Sequence, residues 1–425
     1  MAGKEGIVVV GAGASGLMAA VELAKRGNDV LILEARERTG GRIWTLPKSR
    51  LGCVAEAGAE FVHGRAPVTR RIAREAGIAL MPTHSELWSY YNGVLEKGYG
   101  WMPEQQELME RVKGLKQDMP VAAFLNRYFP GKKYAELRAA VLGMSEGYDA
   151  ADPKRASMLS LANEVFTDDG EHLQYRIAGG YAALLGFLEG RCEKLGAEIR
   201  LGTIVKSIDV GEGRVRLSCQ DGNEYFADKA IVTVPLPLIG RIRFRPGIGG
   251  RRYAVRRMGY GNAMKVLLKF RRRWWTACRG YDLDRLEFIR SDLPIRTWWT
   301  QYPDKVPLIT GWLAGPGALG MARKSERQVV EIAVRSLSSI FDVDTERVRK
   351  ELAGSMVVKW PLDPMSKGAY SYATVGYEKA RQKVAEPIGN RIFFAGEALY
   401  GGSSASTVEG AFASGIEAAK AVLDS

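Results

Sequence analysis

The stretch Ile7-Val8-Val9-Val10-Gly11-Ala12-Gly13-Ala14-Ser15-Gly16, answered further on by Glu34, decides the fold. The run Ile7 to Val10 suits a strand buried on both faces by helices. From about Ala14 to Arg26, residues Leu17, Ala20, Val21 and Ala24 share one helical face. Gly27-Asn28 closes that helix, and Val30 to Leu33 reads as a second strand. Between strand and helix lies G-x-G-x-x-G. Its first glycine makes a tight turn, the second lets a pyrophosphate approach the backbone, and the third lets helix pack on strand. The helix N-terminus offers free N–H groups and partial positive charge to phosphates. Glu34, ending the second strand, is placed to accept ribose hydroxyls. The hexapeptide alone is a weak signal; in this full βαβ context it predicts a dinucleotide site.

The continuation Glu34-Ala35-Arg36-Glu37-Arg38-Thr39-Gly40-Gly41-Arg42 points to FAD rather than NAD. A second glycine pair and an arginine beyond the ribose acid bring another basic group to the pyrophosphate, with bidentate geometry available. The chain carries one such fingerprint, so a bound flavin would draw electrons from a substrate and pass them to oxygen or another acceptor.

Working outward, helix is expected at Tyr181 to Cys192 and strands at Glu198 to Leu201, Ile204 to Ile208 and Ile231 to Val234. The last piece is strand Ile392-Phe393-Phe394, a glycine turn, and a helix from about Ser406 to Leu423. Residues from about Ile78 to Arg176 alternate polar helical stretches with turns. Those from about Phe244 to Tyr372 carry strand-like runs at Arg296 to Gln301 and Leu308 to Leu313, and one strong helix, Ser325 to Phe341. The expected fold class is α/β, a Rossmann-like FAD-binding domain (1–77, 178–243 and 385–425) interleaved with an α+β substrate-binding domain (78–177 and 244–384).

Composition sets outer bounds. At 425 residues and 46% apolar, the chain suits two domains with a sizeable core. No run of about 18 uncharged apolar residues occurs, and Met1 to Gly6 lead into the first strand rather than a cleavage site, so no membrane span and a cytoplasmic location are expected. Cys53, Cys192, Cys219 and Cys278 lie far apart without metal spacing and read as passive thiols. The net charge of +13 gathers partly in Arg241 to Arg279, which has many basic residues and no Asp or Glu. A nucleic-acid or anionic surface is one reading of it; a solvated face is favoured, because no nucleic-acid motif accompanies it.

With those motifs in place the sequence resembles the FAD-dependent amine oxidase family: monoamine oxidases, polyamine oxidases, L-amino-acid oxidases and lysine-specific histone demethylases. The likeness runs over nearly the whole chain and is strongest at Ile7 to Trp44, Glu56 to Gly64, Gly179 to Leu185, Met264 to Phe270, Trp360 to Ser371 and Phe393 to Gly415. The resemblance implies that Gly11, Gly13, Ala14, Ser15, Gly16, Glu34, Ala35, Arg36, Gly41 and Arg42 hold the adenosine diphosphate half. It places Gly58, Ala59 and Glu60 beside the isoalloxazine ring and Val205 at the adenine. Gly396 and Glu397 fall at the ribityl and phosphate region, and Thr407 and Val408 begin the last helix beneath the flavin pyrimidine. A helix N-terminus there stabilises negative charge developing on a reduced flavin.

For the chemistry, the resemblance implies hydride transfer from an amine α-carbon to FAD N5, imine hydrolysis to an aldehyde, and reoxidation by O2 with release of H2O2. Lys265, in the apolar run Met264 to Leu268, is the first catalytic candidate. A lysine there is expensive unless partnered, and the matching family lysine holds a water at N5; the competing reading puts it on a solvated strand face. Trp360 and Tyr370 match an aromatic wall facing the flavin. Monoamine oxidases close the slot with two tyrosines, but the second position here is Thr407, which points toward polyamine-oxidase or demethylase-like pockets. His63 matches a substrate-contacting position of polyamine oxidases; His84 and His172 complete the histidines, and no metal site is evident. Ala369 stands where monoamine oxidases have the cysteine that attaches FAD, so noncovalent FAD is expected. The partners expected are a small-molecule amine and O2. Nucleic acid and membrane are not expected, and the oligomeric state stays open. Alternatives are a desaturase-like or protoporphyrinogen-oxidase-like flavoenzyme, or a flavin-bearing binding protein with a basic patch.

Overall fold

A computed structural model describes residues 6–83, 86–98, 104–166, 173–211 and 213–425; His84 and His172 lie outside them. Strand Gly6–Val10 sits at the centre of a five-stranded sheet whose order is Glu198–Arg200, Asp29–Leu33, Gly6–Val10, Lys229–Val232, Ile392–Phe394. All its pairings are parallel, with Val8 opposite both Leu31 and Ala230. Both faces are covered at its centre, which explains why Gly6–Val10 and Ile392–Phe394 are short apolar runs without alternation, while the edge strand Glu198–Arg200 is polar and largely exposed. On one face lie helices Ala14–Ala24, Tyr181–Lys194 and Val408–Leu423, sharing a core that includes Leu17, Val21, Leu184, Leu188 and Phe412. The first and last helices meet almost backbone to backbone: a Cβ on Gly415 would stand 2.3 Å from the Ser15 carbonyl oxygen. The opposite face packs on a four-stranded sheet (Glu224–Ala227, Val215–Cys219, Val205–Val210, Arg243–Arg245) through Val8, Val10, Ile208, Leu217 and Val232.

A larger sheet runs in the order Leu352–Lys359, Ala263–Phe270, Leu308–Ala314, Thr297–Trp299, Leu286–Ser291, Glu86–Tyr91, Val94–Lys97. One face, including Met264, Val266, Leu268 and Phe270, packs against helix Glu326–Phe341. That helix starts at Ser325 with a capping box, Ser325 accepting from the Gln328 N–H while the Gln328 side chain accepts from the Ser325 N–H. The other face turns toward the parallel sheet. Helices Gln105–Lys113, Val121–Tyr128, Ala135–Gly147 and Met158–Phe166 close one end around Phe124, Phe129 and Leu137. The architecture is thus a Rossmann-like α/β unit interleaved with an α+β unit. Among the described residues no helix is long and apolar enough to cross a membrane.

Ile204 to Ile208 is a strand as expected, Val205–Val210, and lies in the four-stranded sheet, antiparallel to Val215–Cys219 and parallel to Arg243–Arg245. Within the stretch expected as helices and turns, Glu86–Tyr91 and Val94–Lys97 form a hairpin on Asn92-Gly93, both at positive φ (51° and 82°). The Asn-Gly pair between the aromatic run Trp88 to Tyr91 and the apolar pair Val94-Leu95 was its local signal. The basic segment also divides. Arg243, Arg252, Arg256 and Arg257 face solvent, as do Arg245 and Arg272, which pair there with Asp209 and Glu351, whereas half-buried Arg273 pairs with Asp284.

Candidate cofactor and substrate site

A cavity of about 2260 Å3 runs between the two units, lined by Gly11, Glu34, Lys265, Trp299, Tyr370 and Thr407 among others. Typical small-molecule pockets hold about 300–1,000 Å3. This one has room for a large cofactor and a substrate together.

At one end is the glycine turn. Gly11 has φ +109°, and a Cβ on Gly16 would fall 1.9 Å from the Gly11 carbonyl oxygen, so neither tolerates a side chain. Gly13 is different: its φ is −76°, and a Cβ there would meet no protein atom within 4 Å. It opens onto the cavity and forms the N-cap of helix Ala14–Ala24 without a side-chain cap. The first-turn N–H groups therefore have no intrahelical acceptor. The Ser15 hydroxyl is buried with no hydrogen-bond partner among the described residues. Uncapped donors, an orphan hydroxyl and a cradle that only glycine leaves open fit a pyrophosphate.

Glu34 accepts from the Ala12 N–H at 2.7 Å and the Arg36 N–H at 2.8 Å, which fixes its carboxylate at the cavity wall. Burial raises its pKa, and these N–H donors oppose the rise. Arg36 lines the cavity with its guanidinium gripped by Asp363 (2.6 and 3.0 Å) and Ser366 (2.9 Å). Arg42 donates to the Ala369 carbonyl at 2.8 Å and to Glu397 at 2.6 Å, and Glu397 also takes the Ser371 hydroxyl at 2.6 Å. Gly40 and Gly41, both at positive φ, bring this turn against Gly13. Ala35, Gly58, Ala59, Val205, Gly396 and Val408 also border the cavity. A Cβ on Gly58 would meet the Arg42 carbonyl oxygen at 2.0 Å, whereas one on Gly396 would meet nothing.

Thr407 has a local duty besides lining the cavity. It is the N-cap of helix Val408–Leu423, its hydroxyl accepting from the Gly410 N–H at 3.1 Å and donating to the Ser404 carbonyl at 2.7 Å. The other N–H groups of that first turn have no intrahelical acceptor, and Val408 borders the cavity.

On the cavity wall the sheet supplies Lys265, only 2% exposed. The strand's alternation explains its placement: Met264 and Val266 point into the sheet's own core, so Lys265 points the other way, toward the parallel unit. Its ammonium donates to Glu60 at 2.7 Å and to the Glu56 carbonyl at 3.0 Å, and lies 5.2 Å from the Trp299 ring. The solvated-face reading is thereby excluded. Glu60 also accepts from Arg176, from the Trp299 indole at 2.9 Å and from Gln301 at 3.4 Å. Burial alone would raise the Glu60 pKa, but Lys265 and Arg176 outweigh it and bring the group down to about 2. Glu56, whose carboxylate takes the Tyr181 N–H at 2.7 Å, is pushed up by burial to about 7.

Aromatic groups enclose the remaining volume. Trp360 is pinned by its indole N–H to the Ala57 carbonyl at 3.0 Å. Tyr370 lies parallel to Trp312 (6.5 Å, 5°) and donates to the Tyr148 carbonyl at 2.6 Å. His63 stands between Phe61 and Tyr148, each ring 6.1 Å away, and burial pushes its pKa down to about 4. At neutral pH it is uncharged.

Beyond Tyr148 two carboxyl groups line the cavity, Asp149 and Glu164. Burial and then the Glu164 charge drive Asp149 well above its ordinary pKa, while Glu164, exposed where the cavity opens, is raised by partial desolvation. Sequence reading missed this pair, together with Arg176, Trp299 and Trp312. Asp149 had a faint signal, an acid beside an aromatic; the others sit in ordinary strand and helix patterns and become neighbours only through folding.

Comparison with known proteins gives one family. The profile described as flavin containing amine oxidoreductase matches residues 14–423. Human lysine-specific histone demethylase 2 is 27% identical over 99% of this chain, which spans 53% of that protein. The chain spans about half the length of the curated relatives it matches first, the demethylases. Polyamine oxidase 2 of Arabidopsis thaliana is 25% identical, with 97% of this chain and 87% of that protein covered. Among solved structures, wild-type putrescine oxidase bound to putrescine superposes with a TM-score of 0.82 at 19% identity, with 99% of each chain covered. Cyclohexylamine oxidase from Brevibacterium oxydans gives 0.81 at 19% identity, also with 99% of each chain covered. At that identity the superpositions speak for the fold alone.

Proposed function

The chain belongs to the flavin-containing amine oxidoreductase family, and from that premise we propose that it is an amine oxidase holding FAD noncovalently and acting on a small di- or polyamine. FAD, when bound, supplies the acceptor for a hydride equivalent from the carbon beside nitrogen and returns the electrons to O2 as H2O2; the imine hydrolyses to an aldehyde. Gly13, Ser15, Glu34 and the first turn of helix Ala14–Ala24 would hold its adenosine diphosphate end, and the helix start at Thr407 would face its pyrimidine.

The chain's own side chains do the rest. The rings of Trp299, Trp312, Trp360 and Tyr370 exclude water and offer π faces to an ammonium-bearing chain. Neutral His63 adds no positive charge against a cationic substrate. Lys265 keeps a fixed cation on the cavity wall, where oxygen reduction would build negative charge.

The observation that carries the substrate class is the Asp149–Glu164 pair, in the same cavity as the aromatic slot. A monoamine needs nothing there, whereas a second ammonium does. As pH rises Asp149, held above its ordinary pKa, loses its proton and the pair gains charge, so kcat/KM for a diamine such as putrescine should rise more steeply than for a monoamine of equal length. Asp149→Asn should abolish that difference and lower kcat/KM for the diamine by about 10- to 100-fold, the loss of one charged hydrogen bond at 1.5–3 kcal/mol. Equal pH profiles for the two amines in the parent protein would refute the diamine assignment.

Noncovalent attachment has its own check. Ala369 offers no nucleophile, so acid precipitation should leave a white pellet and release FAD into the supernatant. A yellow pellet would contradict it.

A further inference from the structure

The groups behind Lys265 point to a role that rests on the oxidase reading above. We propose that Glu60 is a positioning residue, whose carboxylate fixes the direction and counter-charge of the Lys265 ammonium for the oxygen half of the reaction. Both side chains are almost fully buried, at 3% and 4% exposure, and their charged atoms are 2.7 Å apart. One carboxylate oxygen takes Lys265; the other is the shared acceptor of Arg176, Trp299 and Gln301. Glu60 is therefore held from three separate segments, those of Lys265, Arg176 and Trp299 to Gln301, and Arg176 is itself tied to the Thr300 carbonyl at 2.8 Å. An ammonium has three donors. With Glu60 and the Glu56 carbonyl taking two of them on one side, the third is left for the cavity that Lys265 lines.

The chemistry explains why a carboxylate serves here. Without Glu60, Arg176 and Lys265 would be buried as uncompensated like charges, and the flexible lysine would swing away or draw water in. A buried ion pair is no requirement for stability, since apolar replacements of matching volume often do as well. A cation held in one direction beside a reaction cavity does require such a partner. Displacement of a catalytic group by about 1 Å can cost about 100-fold in rate.

The test uses FAD-loaded protein reduced by dithionite under argon, then mixed with oxygenated buffer, so no amine is needed. Glu60→Gln is expected to slow reoxidation about tenfold or more. Glu60→Asp, which keeps the charge but retracts it, is expected to slow it about three- to tenfold. In a Lys265→Met background, Glu60→Gln should change the rate by less than about twofold, because it acts through the lysine. A second readout needs no flavin: in urea denaturation of the apoprotein, the 60 and 265 substitutions should be non-additive by more than about tenfold in the folding constant. Reoxidation of the folded Glu60→Gln or Glu60→Asp protein at the parent rate or faster overturns the proposal. So does a full effect without Lys265, or an additive cycle. Should Glu60→Gln fail to fold, Glu60→Asp decides alone. Failure of the oxidase reading would show separately, as a parent flavin that no amine reduces, and would leave the dithionite experiment intact.

Discussion

Replacing Lys265 with methionine should leave a yellow, folded protein whose reduced form reacts with O2 about 100- to 1,000-fold more slowly. The size follows from removing one preorganised charge from a dry site, which typically costs about 2.7–4 kcal/mol of barrier. Methionine matches the lysine stem in length, and the neighbours Ala263 and Leu267 on the same strand face are apolar. The strand should therefore keep its register with Trp312 and Val358. The loss is confined to the oxidative half. Anaerobic bleaching by a good amine should stay within about threefold, since hydride delivery needs alignment by the aromatic walls rather than this charge. The substitution also strands Glu60 against Arg176 alone, a buried pair with one cation fewer, so a fall in melting temperature is expected alongside. Stopped-flow absorbance separates the two halves. Equal slowing of both would mean that Lys265 acts on substrate binding, and an unchanged oxidative rate would remove it from the mechanism.

Gly13→Val should abolish tight FAD binding while the polypeptide still folds. A Cβ at residue 13 meets no protein atom within 4 Å, and the φ of −76° with extended ψ suits any L-residue. The folded chain thus has no internal reason for glycine at this position. The added methyl groups would occupy the approach of a phosphate to the free N–H groups of the first turn. A rise of about 100-fold or more in the FAD dissociation constant is expected, equal to about 2.7 kcal/mol. The apoprotein should lose less than about 1 kcal/mol, the usual scale of a poorer N-cap residue. Gly16→Val provides the contrast: its Cβ would collide with the Gly11 carbonyl oxygen at 1.9 Å, so the protein itself should fail to fold. Equilibrium titration with FAD, followed by quenching of flavin fluorescence, together with apoprotein melting, distinguishes the two glycines. Unchanged FAD affinity in Gly13→Val would place the pyrophosphate elsewhere.

Local sequence decided a good deal. The run from Ile7 to Leu33 dictated strand, glycine turn, helix and strand, because each of those preferences is set within a few residues. The same holds for the Ser325 capping box and for the burial of Ile392 to Phe394. Even the alternation around Lys265 was written in the strand, though which face lay inside was not.

What the chain could not announce locally is who meets whom. Lys265 and Glu60 are 205 residues apart, Arg176 and Glu60 are 116 apart, and Arg36 and Asp363 are 327 apart. Whether a lysine in an apolar strand is solvated or buried, whether Thr407 fills a substrate slot or caps a helix, and whether Asp149 finds another carboxyl all depend on how the two sheets face one another. Periodicity specifies that a face is buried; only packing specifies against what. The fold therefore lay in the sequence, while the charges, counter-charges and walls of the site came into being when the interleaved units closed around their common cavity.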